Sequence, residues 1–218
     1  MTRLLDIVLS CLALFFLAPL LLPVIIILKI TGEGEVFYIQ ERAGIGGRTF
    51  GLYKFATMVK NSPNIGAGEI TVRDDPRVLP FGKFLRKTKL NELPQLWNIL
   101  LGHMSIVGPR PMVPNTYALY SKETREDLDK IRPGLTGIGS IIFRDEERHF
   151  TGHENPMEFY RNYIIPYKSD LELWYLRNKT VWLYLKIILV TAFVIIVPST
   201  NLVTRLFVGI PKAPQELL

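Results

Sequence analysis

The sequence contains one cysteine, Cys11, and this residue lies within an apolar run. An intrachain disulfide is therefore excluded, and a reducing, cytosol-facing environment suits the chain. The same apolar run is long and has no small-x-small site at its end, which argues against a cleaved signal peptide. The chain also has no internal repeats, no low-complexity tracts and no motif typical of nucleic-acid binding. We therefore expect no nucleic-acid partner.

The composition favours a membrane-associated protein with an anionic partner. Of the 218 residues, 48% are hydrophobic, and the formal net charge is +6. The mean hydropathy of +0.20 is high for a soluble protein, and the apolar residues are concentrated at two places. Basic residues that share a chain with long apolar runs suit a phosphorylated substrate or an anionic lipid. The length allows one domain and, in addition, a membrane element.

Residues 4–30 form an almost uninterrupted apolar run. A helix of this length is sufficient to cross a bilayer core of about 30 Å. Pro19 and Pro23 each remove a backbone donor near its middle, so a helix-break-helix that returns to its own side is predicted. Basic residues flank both ends, including Arg3 and Lys29, as expected if both ends are cytoplasmic. A plain transmembrane anchor is the alternative.

A β-hairpin is predicted next, from residues 35–40 and 48–55. Both segments are rich in β-branched and aromatic residues, and Gly44, Gly46 and Gly47 lie between them. The glycines are also compatible with a phosphate-binding loop. No helix follows them, which favours the turn.

The stretch from Arg86 to Pro111 carries the strongest chemical signal. Asn91 and Glu92 place an amide beside a carboxylate, and Pro94 predicts that a helix starts at once, with Asn91 as its N-cap. The apolar face of this helix is predicted from helical spacing to comprise Leu93, Leu96, Trp97 and Leu100.

Basic residues surround the Asn91-Glu92 pair in the sequence. Arg86, Lys87 and Lys89 precede it, and Arg110 follows the predicted helix. A carboxylate among cations beside a helix N-terminus suits a metal-bound diphosphate. An ordinary helix start with a solvated charged face is the alternative.

Residues 90–96 (LNELPQL) and 107–111 (VGPRP), with Asn98, Gly102 and Met104-Ser105 between them, resemble the signature of the bacterial sugar transferases. These are monotopic polyprenol-phosphate phosphoglycosyl transferases. The resemblance implies transfer of a phospho-sugar from a UDP-sugar to undecaprenyl phosphate with release of UMP, the first membrane step of envelope glycan assembly. It also implies Mg²⁺ as cofactor and a location at the cytoplasmic face of the bacterial inner membrane, in contact with lipid.

The resemblance further implies an α+β, mostly helical fold. Its expected parts are a re-entrant membrane helix over residues 1–31, a cytosolic catalytic domain over residues 32–182 and a membrane-interfacial segment over residues 183–218. The oligomeric state stays open, with a homodimer among the options.

The resemblance assigns catalytic roles to Asn91 and Glu92, with Glu92 also associated with the metal. The residues expected to bind substrate are Lys54, Arg86, Arg110, Arg132, Thr136, Gly137 and Arg144.

The catalytic pair departs from the family pattern, which has Asp-Glu where this chain has Asn91-Glu92. An amide oxygen is a far weaker nucleophile than a carboxylate. Three accounts follow: the acceptor phosphate attacks the donor directly, Glu92 becomes the nucleophile, or turnover is lost and the chain acts as a membrane-bound scaffold or substrate-binding protein.

Other segments give weaker signals. A charged helix is predicted over residues 115–130, and Asp74 and Asp75 are interpreted either as metal ligands or as part of a turn before Pro76. His149 and His153 are interpreted as loop residues, because Thr-Gly between them breaks a helix. The apolar stretch over residues 187–197 is too short to cross a bilayer and is predicted to lie on the membrane.

Overall fold

The computed structural model describes residues 2–65, 75–144, 146, 155–197 and 206–217. Within them the fold is α+β and mostly helical, as predicted. The helices are α1 (Thr2–Ile30), α2 (Pro80–Lys87), α3 (Gln95–Leu100), α4 (Pro114–Tyr117), α5 (Lys122–Leu128), α6 (Ile138–Ile142), α7 (Pro156–Phe159), α8 (Ile165–Arg177) and α9 (Val181–Ile196). The strands are β1 (Phe37–Ala43), β2 (Thr49–Phe55), β3 (Ser105–Val107) and β4 (Gly134–Thr136).

The predicted hairpin is confirmed. β1 and β2 pair antiparallel from Phe37 opposite Phe55 to Ala43 opposite Thr49, so the first strand extends further towards the turn than the sequence indicated. Gly46 and Gly47 in the turn have φ of 68° and 69°, a left-handed conformation that glycine adopts without steric cost. A second, parallel pair joins β3 to β4 through Ser105 opposite Gly134 and Val107 opposite Thr136.

The long N-terminal helix is continuous. α1 runs from Thr2 to Ile30 with Pro19 and Pro23 inside it, so the predicted division into two helices is not found. Each proline removes one hydrogen bond, and the turns on either side keep theirs. Among the described residues, α1 is the helix long and apolar enough to cross a membrane.

Both halves of α1 pack on the rest of the molecule. Towards its start, Asp6 is buried at 2% exposure, and its Oδ1 accepts hydrogen bonds from Ser105 Oγ (2.9 Å), Ile106 N (2.9 Å) and the Tyr184 hydroxyl (2.8 Å). Towards its end, Val24 and Leu28 are buried in a cluster with Phe55 and Leu85. The opposite side of α1 exposes large apolar side chains, among them Leu4, Phe15, Phe16, Leu22, Ile26 and Ile30.

The main core lies between α3, β3, α6, α8 and α9. Its fully buried members include Ile99, Ile138, Leu171 and Ile187. Because α9 begins at Val181 and buries Ile187 in this core, the predicted boundary between residues 182 and 183 falls inside a helix that packs with the central body.

Two local predictions are wrong. Residues 115–130 form two helices instead of one, because Ser121 has an extended backbone and its Oγ accepts from Thr124 N (3.2 Å), which starts α5. Asn91 is not the N-cap of α3: it lies in a 3₁₀ turn, Leu90–Glu92, and Pro94 directly precedes the helix. Of the predicted apolar face of α3, Leu96 is buried, whereas Trp97 is 53% exposed.

The buried side of α3 includes a polar anchor, Asn98, which is 0% exposed. Its Oδ1 accepts from Tyr53 N (2.9 Å), and its Nδ2 donates to Gly51 O (2.7 Å). The carboxamide thus ties α3 to the backbone of β2.

Candidate active site

The Asn91-Glu92 pair lies in the short turn between α2 and α3. Lys89, which precedes this turn, has φ of 59°, a conformation that is strained for a residue with a side chain. The Asn91 side chain is buried at 9% exposure, and its Oδ1 has no hydrogen-bond partner among the described residues. An amide oxygen without a partner therefore lies one residue from the Glu92 carboxylate.

Glu92 pairs with Arg110 across the site. Arg110 Nη2 donates to Glu92 Oε1 at 3.0 Å, and the two side chains are 38% and 16% exposed. Lys54 of β2 also acts on Glu92 electrostatically, as does Lys89. Arg86 of α2 is close enough to act on Lys54, while its Nε donates to Thr57 Oγ1 at 2.9 Å. One carboxylate is therefore surrounded by more cations than it can neutralise.

Two pKa values report the balance of charges. Burial raises the pKa of Glu92, but the charges of Arg110 and Lys54, with the Arg110 hydrogen bond, outweigh burial and bring it to about 2. Burial lowers the pKa of Lys54, and so do the positive charges of Arg42, Arg110 and Arg86. These effects outweigh the negative charge of Glu92, which raises the pKa, and the pKa of Lys54 is about 7. Glu92 is thus ionised throughout the neutral range, and Lys54 exchanges its proton near neutrality.

The loop that carries Arg110 is held from behind by backbone contacts. Gly108 N donates to Thr136 O (2.9 Å), and Gly134 N donates to Pro109 O (2.8 Å). A Cβ on Gly137 would lie 2.2 Å from Gly108 O, so only glycine allows this approach. Thr136 and Gly137 therefore support the Arg110 loop from behind.

Three further residues, for which the sequence gave only a weak signal or none, hold the same loop. Arg42 Nη1 donates to Pro111 O (3.0 Å), and Ala43 N donates to Met112 O (2.8 Å). Glu172, 2% exposed on α8, accepts from Arg110 N at 3.4 Å, and burial raises its pKa to about 7. Their spacing in the sequence, up to 130 positions from Arg42 to Glu172, leaves no periodic pattern that would have found them.

Two arginines predicted to bind substrate are engaged elsewhere. Arg132 Nε donates to Gly102 O (2.7 Å), beyond the C-terminal end of α3, while Glu92 precedes its N-terminal end. The Arg144 guanidinium donates to Val194 O and Ile195 O at the end of α9. The structure therefore brings Lys54, Arg86 and Arg110 to Glu92, but not Arg132.

Arg144 and Thr136 still have links to the surroundings of the site. Lys89 Nζ donates to Arg144 O at 3.3 Å, so the backbone of Arg144 lies beside the turn that holds Asn91. Thr136 Oγ1 shares a 2.7 Å hydrogen bond with Thr191 Oγ1, which fixes β4 to α9.

Of the candidate metal ligands from the weaker motifs, Asp75 belongs to a turn. Its Oδ2 accepts from Arg77 Nη2 (2.5 Å), and Val78 N donates to Asp75 O (3.1 Å). The turn interpretation is thus confirmed for Asp75. Asp74, His149 and His153 lie outside the described residues.

Among the described residues, no three His, Cys, Asp or Glu side chains lie together as a preformed metal cluster. Mg²⁺ does not need one, because it prefers one or two carboxylates plus substrate phosphate oxygens. Glu92 would supply the carboxylate, and Asn91 Oδ1, which has no partner among the described residues, would add a second hard oxygen. The donor set therefore fits Mg²⁺ bound together with a diphosphate.

The family model described as bacterial sugar transferase matches residues 1–198. The chain belongs to this family. The match includes α1 and the whole region that builds the Glu92 site, so the family relationship applies to the long apolar helix as well as to the central body.

Curated proteins that are similar to this chain are named for sugar-phosphate transfer or exopolysaccharide production. An undecaprenyl-phosphate glucose phosphotransferase of Komagataeibacter xylinus is 34% identical over 201 residues, which is 87% of this chain and 34% of the relative. A UDP-glucose:undecaprenyl-phosphate glucose-1-phosphate transferase of Escherichia coli is 35% identical, over 86% of this chain and 38% of the relative. The chain thus spans less than half the length of these two proteins. The exopolysaccharide production protein ExoY of Sinorhizobium fredii is 40% identical, over 67% of this chain and 70% of the relative.

Proposed function

We propose that this protein transfers a phospho-sugar from a UDP-sugar to undecaprenyl phosphate and releases UMP. The observation that carries the proposal is the ionised Glu92 held by Arg110, with Lys54 and Arg86 close by. Such a surplus of positive charge suits a diphosphate and an incoming phosphate, both of which are anionic. The activities for which the Komagataeibacter and Escherichia relatives are named support this choice.

Each residue of the cluster has a distinct part in binding the donor. Glu92 and Asn91 Oδ1 would hold Mg²⁺, which would supply positive charge to offset that of the diphosphate. Arg110 and Arg86 contact phosphate oxygens. Lys54, whose pKa is about 7, gains a proton when an anion binds and then adds its charge.

The chemical step proceeds by direct displacement. An oxygen of undecaprenyl phosphate attacks the β-phosphorus of the UDP-sugar and forms a new P–O bond. The bond from that phosphorus to the bridging oxygen breaks, and UMP leaves with the electron pair. Asn91 cannot act as a carboxylate nucleophile, so its carboxamide only binds and orients.

The membrane location is part of the proposal. The exposed apolar side of α1 suits lipid, and both ends of α1 pack on the same body through Asp6 and Leu28. A helix crossing a bilayer core of about 30 Å upright would carry one end away from that body. We therefore place α1 within one leaflet, with both ends and the Glu92 site at the cytoplasmic face of the inner membrane.

The test is UMP release by the full chain in detergent with UDP-glucose, undecaprenyl phosphate and Mg²⁺. We expect release only when both substrates are present, and no mass increase of the protein with the donor alone. A phospho-sugar adduct on Glu92 in intact-protein mass spectrometry contradicts direct displacement and makes Glu92 the nucleophile.

The second candidate function is a membrane-bound scaffold in polysaccharide assembly, favoured by the single observation of Asn91 at the nucleophile position. The transferase and the scaffold functions predict different effects of Glu92→Gln on UMP release. A transferase loses its UMP release in this variant and keeps its membrane association. A scaffold shows no UMP release before the substitution either, even when several UDP-sugars are offered.

A further inference from the structure

A charged cavity lies at the C-terminal end of α3, whereas Glu92 precedes the N-terminal end of this helix. It has a volume of about 110 Å³ and lies where α1 begins and where the chain enters α9. Four basic side chains line it, together with one acidic side chain: Arg3, Lys130, Arg132, Lys179 and Asp6. The proposed transferase step uses none of them.

The acidic member does not neutralise the four cations. Asp6 is 2% exposed, and the hydroxyls of Ser105 and Tyr184 and the backbone N–H of Ile106 all donate to its Oδ1. These hydrogen bonds stabilise the Asp6 carboxylate, which offsets one of the four positive charges. The lining keeps a surplus of positive charge.

Two arginines are fixed in place by the end of α3. Arg3 donates from Nη1 to Ile99 O (2.6 Å) and from Nη2 to Leu100 O (3.1 Å), and Arg132 donates from Nε to Gly102 O (2.7 Å). A guanidinium has five N–H donors, so each arginine keeps donors beyond these bonds. The two lysines are more exposed: Lys130 pairs with Asp127 at 2.5 Å, and Lys179 has no described partner.

The N-terminus of α1 adds to this charge, and that of α9 lies nearby in the chain. α1 has 29 residues and starts at Thr2, which lines the cavity, and α9 has 16 residues and starts two positions after Lys179. A helix N-terminus carries a partial positive charge and favours anions. The start of α1 therefore lies at the cavity with the four cations, and the start of α9 follows Lys179 in the chain.

The surroundings of the cavity are apolar on the side of these helices. Leu4 of α1 is 68% exposed, and Trp182 of α9 is 74% exposed, each within a few residues of the cavity lining. Tryptophan is enriched at the membrane–water interface, where its amphipathic ring contacts both water and the apolar lipid region. A charged headgroup in the cavity would thus have apolar side chains beside its acyl chains.

We propose that this cavity binds a phosphate group, supplied either by an anionic phospholipid headgroup or by a soluble phosphate compound. It is separated from the Glu92 site by α3, whose six residues span about 9 Å at roughly 1.5 Å per helical residue. Binding there does not depend on the transferase reaction, so the site stands even if the chain has no turnover.

The experiment uses the full chain in non-ionic detergent with phosphatidylglycerol and phosphatidylcholine of identical acyl chains, offered in equal amounts. Native mass spectrometry measures which lipid stays bound. The test variant is Lys130→Ala/Lys179→Ala, because both side chains are exposed and their loss leaves the arginine contacts intact. The matched control is Lys122→Ala/Lys212→Ala, which removes the same charge from exposed positions that do not line the cavity.

We expect the wild-type chain and the control to prefer phosphatidylglycerol, and the test variant to lose at least tenfold in affinity for it, since each lysine near an anionic group contributes about fivefold. Inorganic phosphate titrated without lipid tests the soluble source. Phosphate binding with the same dependence on Lys130 and Lys179, without preference between the lipids, assigns the site to a soluble phosphate compound. If neither lipid nor phosphate binding differs between the test variant and the control, the proposal is overturned.

Discussion

Arg110 Nη2 lies 3.0 Å from Glu92 Oε1, and this ion pair joins the loop after β3 to the turn before α3. The pair stays partly open to solvent, since Arg110 is 38% exposed. A ligand can therefore reach both partners without first breaking the fold. Because the pKa of Glu92 is about 2, the carboxylate remains available to a cation at any physiological pH.

We expect Lys54 to make binding of the proposed UDP-sugar donor dependent on pH. In the folded protein its pKa is about 7, so above that pH the side chain is mostly neutral, and a bound diphosphate draws a proton onto it. We expect the affinity for UDP-glucose to fall as pH rises from 7 to 9, with proton uptake on binding near pH 8 and little near pH 6. Titration calorimetry in two buffers of different ionisation enthalpy measures this uptake.

Lys54→Met provides the specific control for that experiment. The variant has no titrating side chain at this position, so its affinity should be weaker and flat across the same pH range. Lys122→Met, an exposed lysine on α5, should behave like the wild type. Unchanged proton uptake in Lys54→Met would show that another group is responsible.

Gly137→Ala should displace the loop that carries Arg110. Gly137 has an extended backbone, φ −178°, so alanine is tolerated by the local conformation, but its Cβ would lie 2.2 Å from Gly108 O. The loop must move, and a shift of about 1 Å in a positioning group can cost on the order of a hundredfold in rate. We expect kcat/KM for UMP release to fall by about that factor.

Ser140→Ala on the neighbouring helix α6 is the comparison for Gly137→Ala. Its Oγ is buried without a described partner, so the substitution removes no known contact and should leave kcat/KM nearly unchanged. A Gly137→Ala protein with wild-type kinetics would mean that the close approach to Gly108 does not position Arg110.

Asp6 should be a main anchor of α1 on the body. Asp6→Ala leaves the Ser105 hydroxyl, the Ile106 N–H and the Tyr184 hydroxyl without their acceptor in a buried place, which we expect to lower the free energy of unfolding by roughly 3 kcal/mol. Ser10→Ala, one turn later on α1, removes a buried hydroxyl without a described partner. This substitution should change the free energy of unfolding by less than about 0.5 kcal/mol. Denaturant unfolding in detergent micelles measures both. Equal effects of the two substitutions would contradict the anchor.

The sequence was sufficient to predict the elements that depend on local chemistry. The hairpin around Gly46 and Gly47 and the apolar N-terminal helix follow from turn residues and hydrophobic runs. The approach of Lys54, Arg86 and Arg110 to Glu92 was expected from the motif resemblance, and the structure brings these side chains together.

Other features depend on long-range contacts that a linear pattern does not reveal. Arg132 directly precedes Pro133-Gly134, yet its partner Gly102 is thirty positions earlier and lies just before β3, which pairs with β4. The start of α3 was misplaced because Asn91 has the right chemistry for a cap, while the strained backbone of Lys89 tightens the chain into a 3₁₀ turn instead. The contact between Glu172 and the backbone N–H of Arg110 forms only because α8 packs behind the Arg110 loop.

Asn91→Asp tests how far the chemistry of the site depends on one atom. The substitution exchanges the amide nitrogen for oxygen at a buried position beside Glu92, where Arg110, Lys54 and Lys89 already provide surplus positive charge. A second carboxylate should therefore be tolerated and ionised. We expect the variant to release UMP from UDP-glucose without the acceptor, once per chain, and to gain the mass of one phospho-sugar.

The wild-type chain should show neither effect, because the carboxamide of Asn91 cannot form an acyl phosphate. The double variant Asn91→Asp/Glu92→Gln separates the nucleophile from the metal-binding carboxylate: it should lose the rapid UMP release, since Glu92 then no longer supplies a carboxylate to Mg²⁺ and the one at position 91 is needed for attack. An adduct that forms in the wild type and persists in Asn91→Asp at Glu92 would refute direct displacement. If Asn91→Asp forms no adduct, the site lacks more than a nucleophile, and the scaffold function gains support.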